Sequence, residues 1–261
     1  MTHLHFEKKG SGKKILITFH GFGQSAQAFE GLETFFPHYT FYHFDLFFHG
    51  KSQLHRDKEE VNQNLWKDLL TEFLEKEEID RFDIMGFSMG GKFALMTTVL
   101  FPEKIDQITL LAPDGIKTNF WYSMSTQPKF FRNIFRYTVH HPKPFFRSIK
   151  FLQKVKLLHP SVVRFANSQM RSRRQRRQVY LSWVKFRNIK PRLALLASHI
   201  NNHGIKVKFI IGLHDKIIPR ENLQPLLKYL KSDPEIVLLD AGHHHLIASY
   251  IAHLHQIQKK S

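Results

Sequence analysis

A serine hydroxyl between two glycines, Gly86-Phe87-Ser88-Met89-Gly90, is the residue in this chain best placed for nucleophilic chemistry. Serine is a weak nucleophile at neutral pH and needs a base to take its proton, usually a histidine that a carboxylate holds in orientation. The chain offers candidates for both roles. Asp215 stands in Ile210-Ile211-Gly212-Leu213-His214-Asp215, and His243 stands in Leu239-Asp240-Ala241-Gly242-His243. Asp114 is a second candidate acid, and His244 and His245 compete with His243 because the three histidines are consecutive. That run makes a poor zinc site, since adjacent side chains diverge and no His-x-x-x-His with a nearby acid accompanies it.

These residues can act together only if the fold gathers them. Phe82 to Phe87 reads as a short buried strand, and Lys92 to Phe101 carries apolar residues at helical spacing, so Ser88 sits on a strand-turn-helix junction. Glycine at 86 and 90 leaves room for a tight, strained turn that lifts the hydroxyl off the sheet edge. Other strands are expected at 4–8, 14–19, 40–44, 105–111, 206–211 and 235–239, with helices at 25–36, 59–78, 220–231 and 246–258. In the helix at 59–78 the expected apolar stripe is Val61, Leu65, Leu69 and Phe73. Strand-helix alternation implies a mostly parallel central sheet covered by helices, an α/β fold. His20, Asp45, Ser88, Asp114 and Asp215 each follow a strand end, and such sheets form ligand sites beyond those ends.

The alternation lapses between 116 and 200, where helices are broken by prolines at 128, 142, 144, 160 and 191. Charge shifts with it. The chain has 39 Lys and Arg against 22 Asp and Glu, a net +17, yet no acid occurs from Gly115 to His214, where 21 of the basic residues lie. The other 161 residues hold 18 basic residues and all 22 acids. The expected organisation is therefore a core of 1–115 and 201–261 with a basic helical cap at 116–200, aromatic from Phe120 to Trp183. Peripheral membrane contact through that cap is one expectation. Nucleic acid is disfavoured, because Arg171 to Arg177 stands without any recognised nucleic-acid motif. The chain has no cysteine, no apolar run of membrane-spanning length and no signal pattern at Met1 to Glu7, so a cytoplasmic protein is expected.

Four stretches together resemble the α/β-hydrolase superfamily. Gly86 to Gly90 resembles its nucleophile elbow, and Phe19-His20-Gly21-Phe22 resembles its His-Gly loop. Asp45-Leu46-Phe47-Phe48-His49-Gly50-Lys51-Ser52 resembles its Asp-x-x-Gly-His-Gly-x-Ser loop, with Phe48 in place of the first glycine. Gly212 to Asp215 and Ala241 to His243 resemble its acid and histidine loops. The resemblance implies a triad of Ser88, His243 and Asp215, an oxyanion hole from the N–H groups of Phe22 and Met89, and no cofactor or metal. It further implies an esterase- or thioesterase-like hydrolase acting through an acyl-enzyme on a small-molecule substrate, with an acyl chain or an anionic group suited to an aromatic, basic cap. Carbon–carbon bond hydrolases, lyases and perhydrolases share the same elbow. Oligomeric state is left open.

Overall fold

In the computed structural model, which describes residues 2–55, 60–117, 120–157, 163 and 167–259, the chain divides into two compact units. The first comprises Met1–Arg56, Asn62–Lys117 and Ile189–Ser261, and the second Asp57–Val61 and Thr118–Asn188. Pro160 and Glu59 lie outside the described residues, as do the side chains of Phe120 and Trp121. Among the described residues no helix is long and apolar enough to cross a membrane.

Seven strands form the sheet of the first unit: β1 (Phe6–Lys9), β2 (Lys14–Phe19), β3 (Tyr39–Phe44), β4 (Phe82–Phe87), β5 (Ile105–Leu111), β6 (Lys206–Gly212) and β7 (Glu235–Leu239). Their order is β1-β3-β2-β4-β5-β6-β7, with β1 antiparallel to β3 and every other pairing parallel. The inner strands are apolar on both faces because helices cover both sides of such a sheet. Helices α1 (Gln63–Lys76) and α2 (Met89–Leu100) are locked to β2 through aromatic edges. Trp66 lies 5.4 Å from Phe19 and 4.7 Å from Phe93, and its indole N–H donates to Thr97 Oγ1 at 3.0 Å.

Three expected helices differ from what forms. The stretch 25–36 becomes two short 3-10 turns, Ala26–Phe29 and Leu32–Phe35, parted by Gly31 at φ 90. The stretch 220–231 yields only Arg220–Leu223 and Gln224–Leu227, because Pro225 has no N–H to continue the ladder. Helix α1 starts at Gln63, where the Asn62 side chain accepts the Leu65 N–H at 2.9 Å. Val61 and Phe73 are buried as expected, but Trp66, Leu70 and Leu74 line the buried face while Leu65 and Leu69 are only half-buried.

In the second unit, α3 (Phe120–Thr126), α4 (Lys129–His140), α5 (Pro142–Lys154) and α6 (Arg173–Lys185) pack on one another. Phe135 of α4 lies 5.4 Å from Tyr180 and 5.9 Å from Trp183, both on α6. The arginine-rich run is partly structural. Ser172 and Gln175 form a capping box at the start of α6, and buried Arg176 donates to the carbonyls of Val139, Met170 and Arg171 at 3.1, 3.0 and 2.7 Å. Helices α7 (Leu193–His203) and α8 (Leu246–Gln258) belong to the first unit, where α7 packs against α2.

Candidate active site

Ser88 occupies the junction between β4 and α2 with φ 51 and ψ −117, a conformation side chains rarely adopt. Its neighbours leave no slack. A Cβ on Gly86 would meet the Gly90 carbonyl oxygen at 2.7 Å, one on Gly90 would strike the Phe19 carbonyl, and one on Gly91 would meet Pro113 Cβ at 2.6 Å. The turn is tied from both sides: Ser88 N–H donates to Leu111 O at 2.9 Å, and its carbonyl accepts the N–H groups of Gly91 at 2.8 Å and Asp114 at 2.9 Å.

Asp215 lies three residues past β6 and His243 four past β7, so parallel pairing of those strands brings both to one edge. His243 Nε2 lies 2.9 Å from Ser88 Oγ, and its Nδ1 lies 2.6 Å from Asp215 Oδ2. The second oxygen of Asp215 accepts the N–H groups of Ile217 at 2.8 Å and Ile218 at 2.9 Å. With Asp215 acceptor-only, His243 carries its proton on Nδ1 and presents Nε2 as the acceptor for the serine hydroxyl. The imidazole also lies 5.1 Å from the Phe87 ring, and both His243 and Asp215 are buried.

The alternative residues stand apart from this relay. Asp114 lies 3.6 Å from the Lys92 ammonium and accepts the Gly115 N–H at 2.8 Å. His244 and His245 are exposed beside the buried His243. Lys92 itself was not foreseen, although a lysine among Phe93, Leu95 and Met96 signals a buried cation in need of a carboxylate.

The His-Gly loop carries Phe22, and its form is set by short-range bonds. Gly21 N–H donates to Gln24 Oε1 at 2.9 Å, and His20 Nδ1–H donates to Gly21 O at 2.7 Å. His20 Nε2 accepts the Leu46 N–H at 3.0 Å, which joins this loop to the one after β3. There Asp45 accepts the N–H groups of Ala26 and Lys51, both at 2.7 Å, and Gly50 sits so close to that carboxyl that any Cβ would collide with it. Phe48, at the position where the family pattern has glycine, takes φ 68, a conformation costing about 1–2 kcal/mol for a residue with a Cβ. Met89, the other residue named for oxyanion binding, is the first residue of α2, at the helix end that carries the positive pole of the helix dipole.

Burial sets the protonation of three histidines here. Burial, aided by His49, pushes His20 down to about 3, and burial likewise lowers His49. It also lowers His43 against the pull of Glu33, whose Oε1 accepts from His43 Nε2 at 3.0 Å. Each is held below its ordinary value in the fold, so the unfolded chain binds these protons first, near pH 6.5. Stability is therefore intact above that pH and falls as pH drops, by up to ~1.4 kcal/mol per pH unit for His20 down to about pH 3, with His43 and His49 acting in the same direction. Urea unfolding at pH 7 and pH 5 should differ by at least ~2 kcal/mol. Equal midpoints at the two pH values would contradict neutral burial.

This strand order, elbow and edge define a class, and the comparisons agree: the chain belongs to the alpha/beta hydrolase fold family, whose model matches residues 14–249. A candidate esterase/lipase of Mycoplasma genitalium is 28% identical over 103 residues, 39% of this chain and 38% of that protein. A Rattus norvegicus protein named 1-acylglycerol-3-phosphate O-acyltransferase is 31% identical over 119 residues, 43% of this chain and 33% of that one. These matched stretches thus span only about a third of the length of either relative. An esterase from Thermogutta terrifontis superposes with a TM-score of 0.66 over 98% of this chain and 92% of its own, at 16% identity, a likeness of fold. Family and relatives together support a hydrolase.

Proposed function

We propose that the protein is a serine hydrolase of carboxylic esters or thioesters, with Ser88 as nucleophile, His243 as general base and acid, and Asp215 as the orienting carboxylate. The observation that carries this is the two-sided bonding of His243, 2.9 Å to Ser88 Oγ and 2.6 Å to Asp215 Oδ2. His243 Nε2 takes the hydroxyl proton as Ser88 Oγ attacks the carbonyl carbon, and the N–H groups of Phe22 and Met89 stabilise the oxyanion. As the tetrahedral intermediate collapses, the imidazolium protonates the departing alcohol or thiol. Water, deprotonated by the same nitrogen, then releases the carboxylic acid and restores Ser88. Relatives named for esterase, lipase and acyl-transfer activity support an acyl group as the part of the substrate handled here.

A fluorophosphonate probe tests this directly. Peptide mapping should place the label on Ser88, and His243→Ala should slow labelling by several orders of magnitude, because the hydroxyl then has no base. Folded protein that resists the probe, or carries it on another serine, would remove the assignment.

A further inference from the structure

Helices α4 and α5 of the second unit each combine a packed side, exposed apolar side chains and a basic stripe. On α4 the packed stripe is Phe135, Thr138 and Val139. A second stripe, Phe130, Ile134 and Tyr137 at i, i+4 and i+7, stands in solvent at 68, 47 and 56% exposure. A third, Lys129, Arg136 and His140, runs beside it at i, i+7 and i+11. On α5 the buried residue is Ile149, the basic stripe is Lys143, Arg147, Lys150 and Lys154 at i, i+4, i+7 and i+11, and Phe151 is 64% exposed next to it. Beyond its end Val155 and Leu157 are exposed too. Between the charges lies a recess of about 250 Å³ lined by Pro142, Lys143, Phe146, Arg147 and Lys150.

We infer that the α4–α5 face is a docking surface for an anionic phospholipid bilayer. Exposed aromatic and aliphatic side chains beside cationic stripes on the same helices match the layered chemistry of that partner: apolar groups enter the acyl boundary while lysine and arginine meet the headgroups. The recess, with three cations around Phe146, suits a single phosphate headgroup. No acidic residue lies between 115 and 214 to oppose a negative surface. Nucleic acid would satisfy the charges but leave the Phe130–Ile134–Tyr137 stripe in water. This inference is independent of the catalytic assignment, so Ser88→Ala should dock as the wild type does.

The test is sedimentation of the full chain with vesicles of phosphatidylcholine alone or with roughly a third phosphatidylglycerol. Binding should be at least about tenfold tighter to the anionic vesicles and weaken as salt rises. Combined Lys143→Gln, Arg147→Gln and Lys150→Gln should weaken it about tenfold or more. Phe130→Ser with Phe151→Ser should remove the salt-resistant fraction, and thermal melts should show these exposed substitutions folded. Equal binding to both vesicles, no binding to either, or tighter binding to duplex DNA would overturn the inference. So would self-association that Phe130→Ser abolishes while vesicles are ignored. Should the variants fail to fold, the comparison of vesicles with wild-type protein still decides.

Discussion

Ser88→Ala is expected to lower kcat for a p-nitrophenyl ester by about 10⁵–10⁶-fold while leaving the fold intact. The size follows from the role: without the hydroxyl no acyl-enzyme forms, and only positioning and oxyanion binding remain. The fold should survive because alanine keeps the Cβ that the turn already accommodates at φ 51. Glycine makes a sharper comparison. Ser88→Gly should be equally inactive but melt above Ser88→Ala, since glycine alone adopts this conformation without a steric penalty of ~1–3 kcal/mol, partly offset by its greater unfolded freedom. A wild-type rate in either variant would show that the nucleophile is elsewhere.

Asp215→Asn should cost about 10⁴ in kcat, with a much smaller change in KM. An amide at this position can donate to His243 Nδ1, which favours the tautomer whose proton sits on Nε2 and faces Ser88 as a donor. The base is then misassigned rather than removed. Asp114→Asn should stay within about tenfold of wild type, because its carboxylate faces Lys92 and the Gly115 N–H rather than the imidazole. Its loss should appear instead as a lower melting temperature, because the carboxylate lies 3.6 Å from the buried Lys92 ammonium. If the two substitutions exchanged their effects, the acid would belong to the loop after β5.

The parts legible in the sequence were those whose signal is local. β5 and β7 match the expected 105–111 and 235–239, since both are short runs rich in Ile, Leu, Val and Thr. Ser88, Asp215 and His243 were legible because each lies within a few residues of a strand end, and strand ends were readable. Less visible were single backbone conformations and features decided by contacts distant in sequence. Gly31 at φ 90 splits an apparently amphipathic helix, and the register of α1 is set by Trp66 packing between Phe19 and Phe93. The Lys92–Asp114 pairing joins two elements that nothing local relates. Phe48 shows the opposite case: the departure from a glycine pattern was plain in the sequence, and the left-handed backbone at that residue gives its physical cost.

β5 pairs on one side with β4 and on the other with β6, with Gln107 opposite Lys206, and the long segment 118–188 of the second unit lies between β5 and β6 in the chain. On the ribosome this becomes a matter of timing. At translation rates of about 5–20 residues per second, roughly a hundred residues and thus ~5–20 seconds separate the emergence of one edge from the strand that covers it. Through that interval the nascent chain carries the apolar, unpaired margin of β5, while the residues then being made are the basic, acid-free helices.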